Sequence, residues 1–508
     1  MTAQTIPQSE ADGAGAGAAV ERALVLATCV AVTFLYSMAI TVANVSLPQM
    51  QGALSVSPDQ IAWVVTANIV ATAVMTPLTG WLTSRFGRRL LCNACVLGFG
   101  IASLGCGLSD SLAELVFFRV LQGAIGAPLV PLSQAIVLDT YAKRQHGMAI
   151  AFFGVGSVVG PVVGPVLGGW LAETYNWRWV FYMILPFTLL ALIGSLAFIR
   201  DRAAGSKVRL DWLGFLLLAA TLASAQLMLD RGERADWFDS AEIITWASLA
   251  GIALYTFVAH SATAERPFLD PRLLADRNFS IGVALVFVFG MLNFTPMTLL
   301  PPMLQGVGGY PDSVIGFVLG ARGLGTMGGF LTMVFASRFD PRVMIAIGFV
   351  LQALAGWQLA HLDVNPNIAD VFWPMALQGY GVGVLWVPIT MVAFSTLHDG
   401  FVSEASAVFH MVRNIGSSAH ISLSITLAVH MTRVGYAELA ERVTPYSASA
   451  SMPWVSGAWN LEDLRGLASF SREMARQAAM IGYLDAFVFF VATSLVVLPL
   501  VLLIRVKR

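Results

Sequence analysis

Residues 154–170 read Gly-Val-Gly-Ser-Val-Val-Gly-Pro-Val-Val-Gly-Pro-Val-Leu-Gly-Gly-Trp. Gly156, Gly160, Gly164 and Gly168 recur every fourth residue, and Pro161 and Pro165 keep the same period. Both flanks are apolar, so the stretch is one membrane helix rather than a soluble loop. Four residues advance a helix by slightly more than one turn, so the glycines form a bare groove winding along one side. Such a groove lets a neighbouring backbone come close, as in small-xxx-small membrane contacts. Each proline removes an N–H and loosens the helix. Membrane helices accept this because neighbours re-satisfy the freed carbonyls. The row suits tight static packing. It also suits a helix that slides or rocks against a partner.

The rest of the chain fits a membrane setting. Of 508 residues, 57% are hydrophobic and only 12% charged, and the mean hydropathy is +0.74. A soluble chain carries about twice that charge density. The net charge of −1 gives no sign of a nucleic-acid partner. Cys29, Cys92, Cys95 and Cys106 fall in or beside apolar segments, and the single CxxC has no second pair or nearby His to make a metal or redox site.

The sequence predicts an all-α polytopic protein. Residues 1–22 lack a basic stretch followed by an apolar core and are expected to be a disordered cytosolic tail. Fourteen runs of membrane length follow, near 23–47, 61–82, 90–108, 112–138, 147–172, 178–199, 212–229, 243–260, 280–303, 313–336, 343–361, 371–394, 404–430 and 478–504. With the N-terminus inside, eighteen of the 29 Lys and Arg fall on the cytosolic side and eight outside. Arg119, Arg322 and Arg413 lie within spans. Five of the eight outer residues sit in one long loop, 432–476, where the positive-inside rule has little force. Both termini are therefore expected in the cytosol. The outer loop has the amphipathic pattern of a surface helix.

Polar residues inside these runs are the candidate site. Thr33, Ser37, Thr41 and Asn44 share one face of helix 1. A polar stripe there faces other helices or a cavity. Helix 4 carries Arg119 in Phe117-Phe-Arg-Val-Leu-Gln122-Gly123. A charge flanked by apolar runs is costly and functional by default. Arg322 in helix 10 is a second such residue. Helix 13 carries Ser406, His410, Arg413, Ser417 and His420 near one face, and helix 14 carries Asp485. The loop from Asp139 to His146 looks like ordinary punctuation. Ser-Arg-Phe occurs at 84–86 and again at 337–339, each time where an outward-to-inward helix ends. In register with the topology, this weak repeat supports two halves. These are an N-terminal six-helix bundle, 23–199, and a C-terminal one, 280–504. Residues 200–279 then hold a basic linker and two inserted, peripheral helices, and 505–508 a short cytosolic tail.

Several strings resemble one family. Gly-x-x-x-Gly-Pro-x-x-Gly-Pro-x-x-Gly-Gly is similar to the antiporter motif of the major facilitator superfamily. The run Gly80-Trp-Leu-Thr-Ser-Arg85-Phe-Gly87-Arg88-Arg89 resembles that family's motif A, with Ser84 where the family often has Asp. The Arg119-x-x-Gln-Gly string resembles motif B. Leu227-Met-Leu-Asp-Arg-Gly232, Pro128 to Gln134 and Arg277-Asn-Phe279 look like the corresponding stretches of EmrB-type pumps. Apart from its tails, the chain resembles the fourteen-helix drug:proton antiporters of EmrB/QacA type. The resemblance implies the major facilitator fold in the inner membrane. It implies export of amphipathic drugs or toxic compounds by alternating access, in exchange for protons, with no cofactor. Gly80, Arg85, Gly87, Arg88, the glycine–proline row and Arg338 would then be conformational motifs. Gram-negative relatives often pair with a periplasmic adaptor and an outer-membrane channel.

One departure stands out. The family commonly has Asp in helix 1 within D-x-T-x-x-N, and alignment on Asn44 puts Ala39 there. A proton carrier must then lie elsewhere. Asp485 is the first choice, and Asp139, Glu404, His410 and His420 follow. There is no P-loop and no HExxH, so neither ATP drive nor an enzymatic centre is expected. A solute or siderophore importer on the same fold, or a transporter without proton coupling, is the alternative.

Overall fold

In the computed structural model, residues 8–200, 210–265, 267–270, 272–336, 339–398, 401–442 and 463–504 are described. No strand occurs among them. The long apolar runs have become helices because a backbone in hydrocarbon must satisfy its polar groups within its own segment.

We number the long helices α1 (Gln8–Val45), α2 (Pro58–Met75, prolonged through a 3₁₀ turn by Thr79–Phe86), α3 (Arg88–Leu108), α4 (Leu112–Gly126, continuing as Leu129–Thr140), α5 (His146–Thr174), α6 (Ile184–Phe198), α7 (Trp212–Arg231), α8 (Ala241–Thr263), α9 (Arg277–Gly306), α10 (Asp312–Ala336), α11 (Pro341–Leu359), α12 (Ile368–Phe394), α13 (Val402–Arg442) and α14 (Leu464–Val496). The interruptions in α2 and α4 fall where the sequence places Pro77 and Pro128, each removing a backbone donor.

Two packing patterns repeat. In the first half α1 packs on α5 and α6, α2 on α4, and α3 on α4 and α6. In the second half α9 packs on α13 and α14, α10 on α12, and α11 on α12 and α14. One apolar core, from Val25 and Leu35 through Phe153 and Phe181 to Phe349, Trp386 and Phe409, runs through both halves.

Three expectations need correction. The tail expected to be unstructured over 1–22 is helical from Gln8, where its alanines favour helix. Thirteen helices among the described residues are long and apolar enough to cross a membrane. The expected span 404–430 lies on α13, which is not one of them, because His410, Arg413, Asn414 and His420 dilute its apolarity. It nonetheless packs between α9 and α14. Finally, the outer segment 432–476 does not form a separate surface helix where it is described. Instead α13 runs on to Arg442 and α14 begins at Leu464. At 1.5 Å per residue, the 41 residues of α13 span about 60 Å, twice a hydrocarbon core of about 30 Å. Tyr436 Oη and Ser471 Oγ, 3.1 Å apart, tie the two prolongations together.

The inserted pair is split in its packing. Helix α8 rests on α7 and is only 11% buried over its most apolar window. Helix α7 lies against α2 and α13, one helix from each half. It is therefore less peripheral than expected, because its polar end finds partners on both sides. Asp230 accepts from Thr66 of α2, and the Leu229 carbonyl accepts from Ser422 of α13, at 2.6 Å. Beside it, Trp237 Nε1 donates to Thr426 Oγ1 at 2.9 Å.

Candidate functional site

Each half contains one sealed arginine. Arg119 on α4 is 1% exposed. Its Nε donates to the Val64 carbonyl of α2 at 2.9 Å and its Nη1 to Gln122 Oε1 at 2.5 Å. Gln122 Nε2 passes the chain on to Ser103 Oγ of α3 at 2.7 Å. Asn68 of α2 returns a bond to the Arg119 carbonyl at 2.9 Å. Arg119 thus faces α2 and α3. The expected neighbour Asn44 has a side chain outside the described residues.

Arg322 on α10 is 6% exposed. Its Nε donates to Gln378 Oε1 of α12 at 2.9 Å, and its Nη2 to the carbonyl and Oδ1 of Asn293 of α9, both at 2.7 Å. Gln352 of α11 donates to the Gln378 carbonyl at 2.8 Å. Among the described residues neither guanidinium meets a carboxylate. Neutral amides and carbonyls meet the donors, and they add no second buried charge that would itself have to be desolvated.

The glycine row meets α1, a helix of its own half. A methyl at Gly156 would lie 2.6 Å from the Val30 carbonyl, one at Gly160 2.8 Å from the Phe34 carbonyl and Met38 amide, and one at Gly164 2.9 Å from Thr41 Oγ1. Gly168 abuts Val42. Pro161 is buried, and the Pro165 side chain lies outside the described residues. The second half repeats the device, with Gly290 of α9 against the Arg413 carbonyl and Gly416 of α13 against Phe287. Across the two halves the close contacts are different ones, Gly154 with Phe330 and Gly323 with Val162.

Direct polar contacts between the halves cluster toward the face where α2 and α4 end. Ser406 Oγ of α13 donates to the Pro131 carbonyl at 2.9 Å. His410 is 2% exposed and its Nε2 bonds Gln134 Oε1 of α4. That bond makes Nε2 the donor and leaves Nδ1 buried and without a hydrogen-bond partner. Gly80 sits 3.0 Å, measured from an added Cβ, from the Glu404 backbone. Glu404 Oε1 accepts from the Asp270 amide at 2.9 Å.

The same face carries the arginine turn. Gly87 joins α2 to α3 at φ +81°, where a side chain would be strained. Arg88 pairs with Asp139, Arg89 Nη2 donates to the Leu196 carbonyl at 2.9 Å, and Arg85 is exposed. Ser84, in place of the family's Asp, donates back to Trp81 within its own helix at 2.8 Å. Asp139, taken from sequence as part of a plain loop, is therefore an ion-pair partner. Arg338 lies outside the described residues. Nearby, Asp211 caps α7 and meets His260 of α8 at 2.9 Å. Burial pushes its carboxyl up, but the Gly214 amide and His260 outweigh this and hold it below the ordinary value.

The remaining candidates divide. Arg413 is half-buried, bonds only the adjacent Asn414 Oδ1 among the described residues, at 2.9 Å from Nη2 and 3.3 Å from Nε, and lies 5.6 Å over the Trp386 ring. His420 is satisfied within its half, by Thr295 at 2.8 Å and Thr493 at 3.3 Å, and stacks on Phe489. Asp485 lies on α14, which packs on α9, α11 and α13. Neither Arg322 nor Arg413 bonds it among the described residues. No cluster of three or more His, Cys, Asp or Glu that could hold a metal occurs among the described residues.

Sequence reasoning missed Asn68, Ser103, Gln134, Asn293, Gln352 and Gln378. The available signal was an amide or hydroxyl isolated in an apolar run, which needs a partner as much as a charge does.

Residues 29–419 match the family profile of the Major Facilitator Superfamily. The chain is 32% identical over 423 residues to the multidrug export protein EmrB of Escherichia coli (strain K12), covering 82% of each chain. It is 31% identical over 477 residues to the fatty acid resistance protein FarB of Neisseria gonorrhoeae, covering 93% of this chain and 94% of that one. In fold it is similar to the human organic anion transporter MFSD10, with a TM-score of 0.58 at 14% identity, covering 93% and 99% of the two chains.

Proposed function

This chain belongs to the Major Facilitator Superfamily, and from that premise we propose that it exports small amphipathic compounds from the cytosol across the inner membrane by alternating access. The observation that carries the reading is the placement of contacts between two internally tight halves. Each half is locked by an arginine node and a glycine contact, while the halves meet through Ser406–Pro131 and His410–Gln134 near the arginine-bearing face. With that face in the cytosol, this is the state closed to the cytosol. The relatives named for multidrug export and fatty acid resistance support the direction and the cargo class.

Protons are the proposed driving ion. Ala39 leaves the apolar span of helix 1, residues 23–47, without an acid. Of the titratable residues His410, His420, Glu404 and Asp485, His410 is the one whose side chain bonds across the halves. A proton on its Nδ1 would bury a cation with no acceptor, one turn from Arg413, and would favour parting the halves on the cytosolic side. Loading from outside and release inside then drive cargo the other way. Gly80–Glu404 crosses the same gate, and Arg88–Asp139 braces the first half beside it. The prolonged α13 and α14 offer a rod on the far face where a periplasmic adaptor, and through it an outer-membrane channel, would dock.

The test is drug accumulation in proteoliposomes under an imposed pH gradient. Wild type should pump uphill. His410→Gln should keep downhill exchange and lose uphill transport. Unchanged uphill transport in that variant would remove His410 as the carrier. Import of the same compounds by oriented vesicles would reverse the direction.

A further inference from the structure

We propose that Arg413 is the headgroup site for an anionic cargo, an amphiphile with a carboxylate at one end. The inference rests on the export reading and sharpens its substrate class. Arg119, Arg322 and Arg413 lie within the helices of the two halves, and the first two are sealed and bond amides or carbonyls of neighbouring helices. The third, Arg413, keeps only the Oδ1 of the adjacent Asn414. Its remaining N–H groups have no acceptor among the described residues, and no carboxylate pairs with it there. A guanidinium left so at membrane depth is costly unless a ligand completes it.

The site has the shape for that completion. Trp386 of α12 backs the guanidinium at 5.6 Å, from the second half. Tyr36 of α1, in the first half, belongs to the same buried core as Trp386. Both aromatics are buried, at 5% and 8% exposure. Arg413 is half-buried, one turn from the sealed His410 whose ring bonds the first half. One turn toward the arginine-bearing face, His410 and Gln134 close the floor. A ring packed on the flat face of a guanidinium leaves the edge donors free. Those edge donors match the two oxygens of a carboxylate in a way that a lysine ammonium cannot. The aromatic walls take the apolar tail.

Binding of octanoate, octanol and octylamine to the full chain in neutral-lipid nanodiscs, against empty nanodiscs, tests the assignment. Wild type should bind octanoate at least about tenfold more tightly than octanol, as expected of a charge-assisted contact. Octylamine should bind most weakly. Arg413→Gln, checked for a single size-exclusion peak, should erase the octanoate preference, and Arg413→Lys should keep part of it. Equal binding of octanoate and octanol by wild type overturns the anion site without any variant. So does a preference that survives in Arg413→Gln. In both cases the export reading stands if a cationic dye is still pumped. Binding of none of the three overturns the anion site, and failure of dye efflux as well overturns the wider reading.

Discussion

The two halves solve the same packing problem with the charge placed on opposite partners. In the first, the arginine is on α4 and the acceptor carbonyl is on α2. In the second it is on α10, the counterpart of α2, and the amide is on α12, the counterpart of α4. The third helix of each half braces the node, through Ser103 on α3 and Gln352 on α11. The fifth helices differ more. Helix α5 presents a bare row from Gly156 to Gly168. Its counterpart α13 presents Ser406, His410, Arg413, Ser417 and His420. The node therefore serves the integrity of a half, whichever helix supplies the charge. The chemistry between the halves is asymmetric and sits on α13. Glycine gives α5 its close seat on α1 but leaves it nothing with which to bind a proton or an anion.

The largest expected effect breaks the shared part of this comparison. Arg119→Leu and Arg322→Leu should each strand two or more buried carbonyl or amide oxygens at about 1–3 kcal/mol apiece, read as less monodisperse protein and a lower melting temperature in detergent. Arg119→Ala should abolish efflux, and Lys should rescue neither node because it lacks the planar fork. Full transport and an unchanged melt in either half would mean that its node is dispensable.

Next come the glycine seats. Gly164→Leu should push α5 off Thr41 and Met38 and stop transport, and Gly290→Leu should do the same against the Arg413 backbone. Gly164→Ala should be milder, about 1–3 kcal/mol, typical of overpacking. Wild-type efflux by Gly164→Leu would show that the row is not a close contact.

The gate is a smaller term. Ser406→Ala removes one hydrogen bond between the halves, worth about 1 kcal/mol. It should shift the balance between the two access states about fivefold, measured as a change in distance distribution between spin labels on α4 and α13. No shift would place the closing energy in the apolar contacts alone.

The smallest effect separates the proton candidates. Asp485→Asn should leave uphill transport within about twofold of wild type, since the residue lies on α14 with no bonding partner among the described residues and away from the contacts between the halves. Loss of uphill pumping in this variant, with exchange retained, would move the carrier from α13 to α14.

What the sequence alone determined follows from local rules. Apolar length fixes where helices must form, because unpaired backbone cannot sit in hydrocarbon. The glycine period announced a close contact, and Arg119 and Arg322 announced costly burial. None of these named a partner. That Gly160 seats α1, that Asp139 holds Arg88, and that Asn68 and Gln378 complete the nodes depend on residues tens of positions apart meeting in space. Only the tertiary structure decided that two arginines are sealed and the third is left short of acceptors. In the sequence all three are an arginine within a long predicted helix, and what separates them is the set of acceptors that other helices bring within about 3 Å.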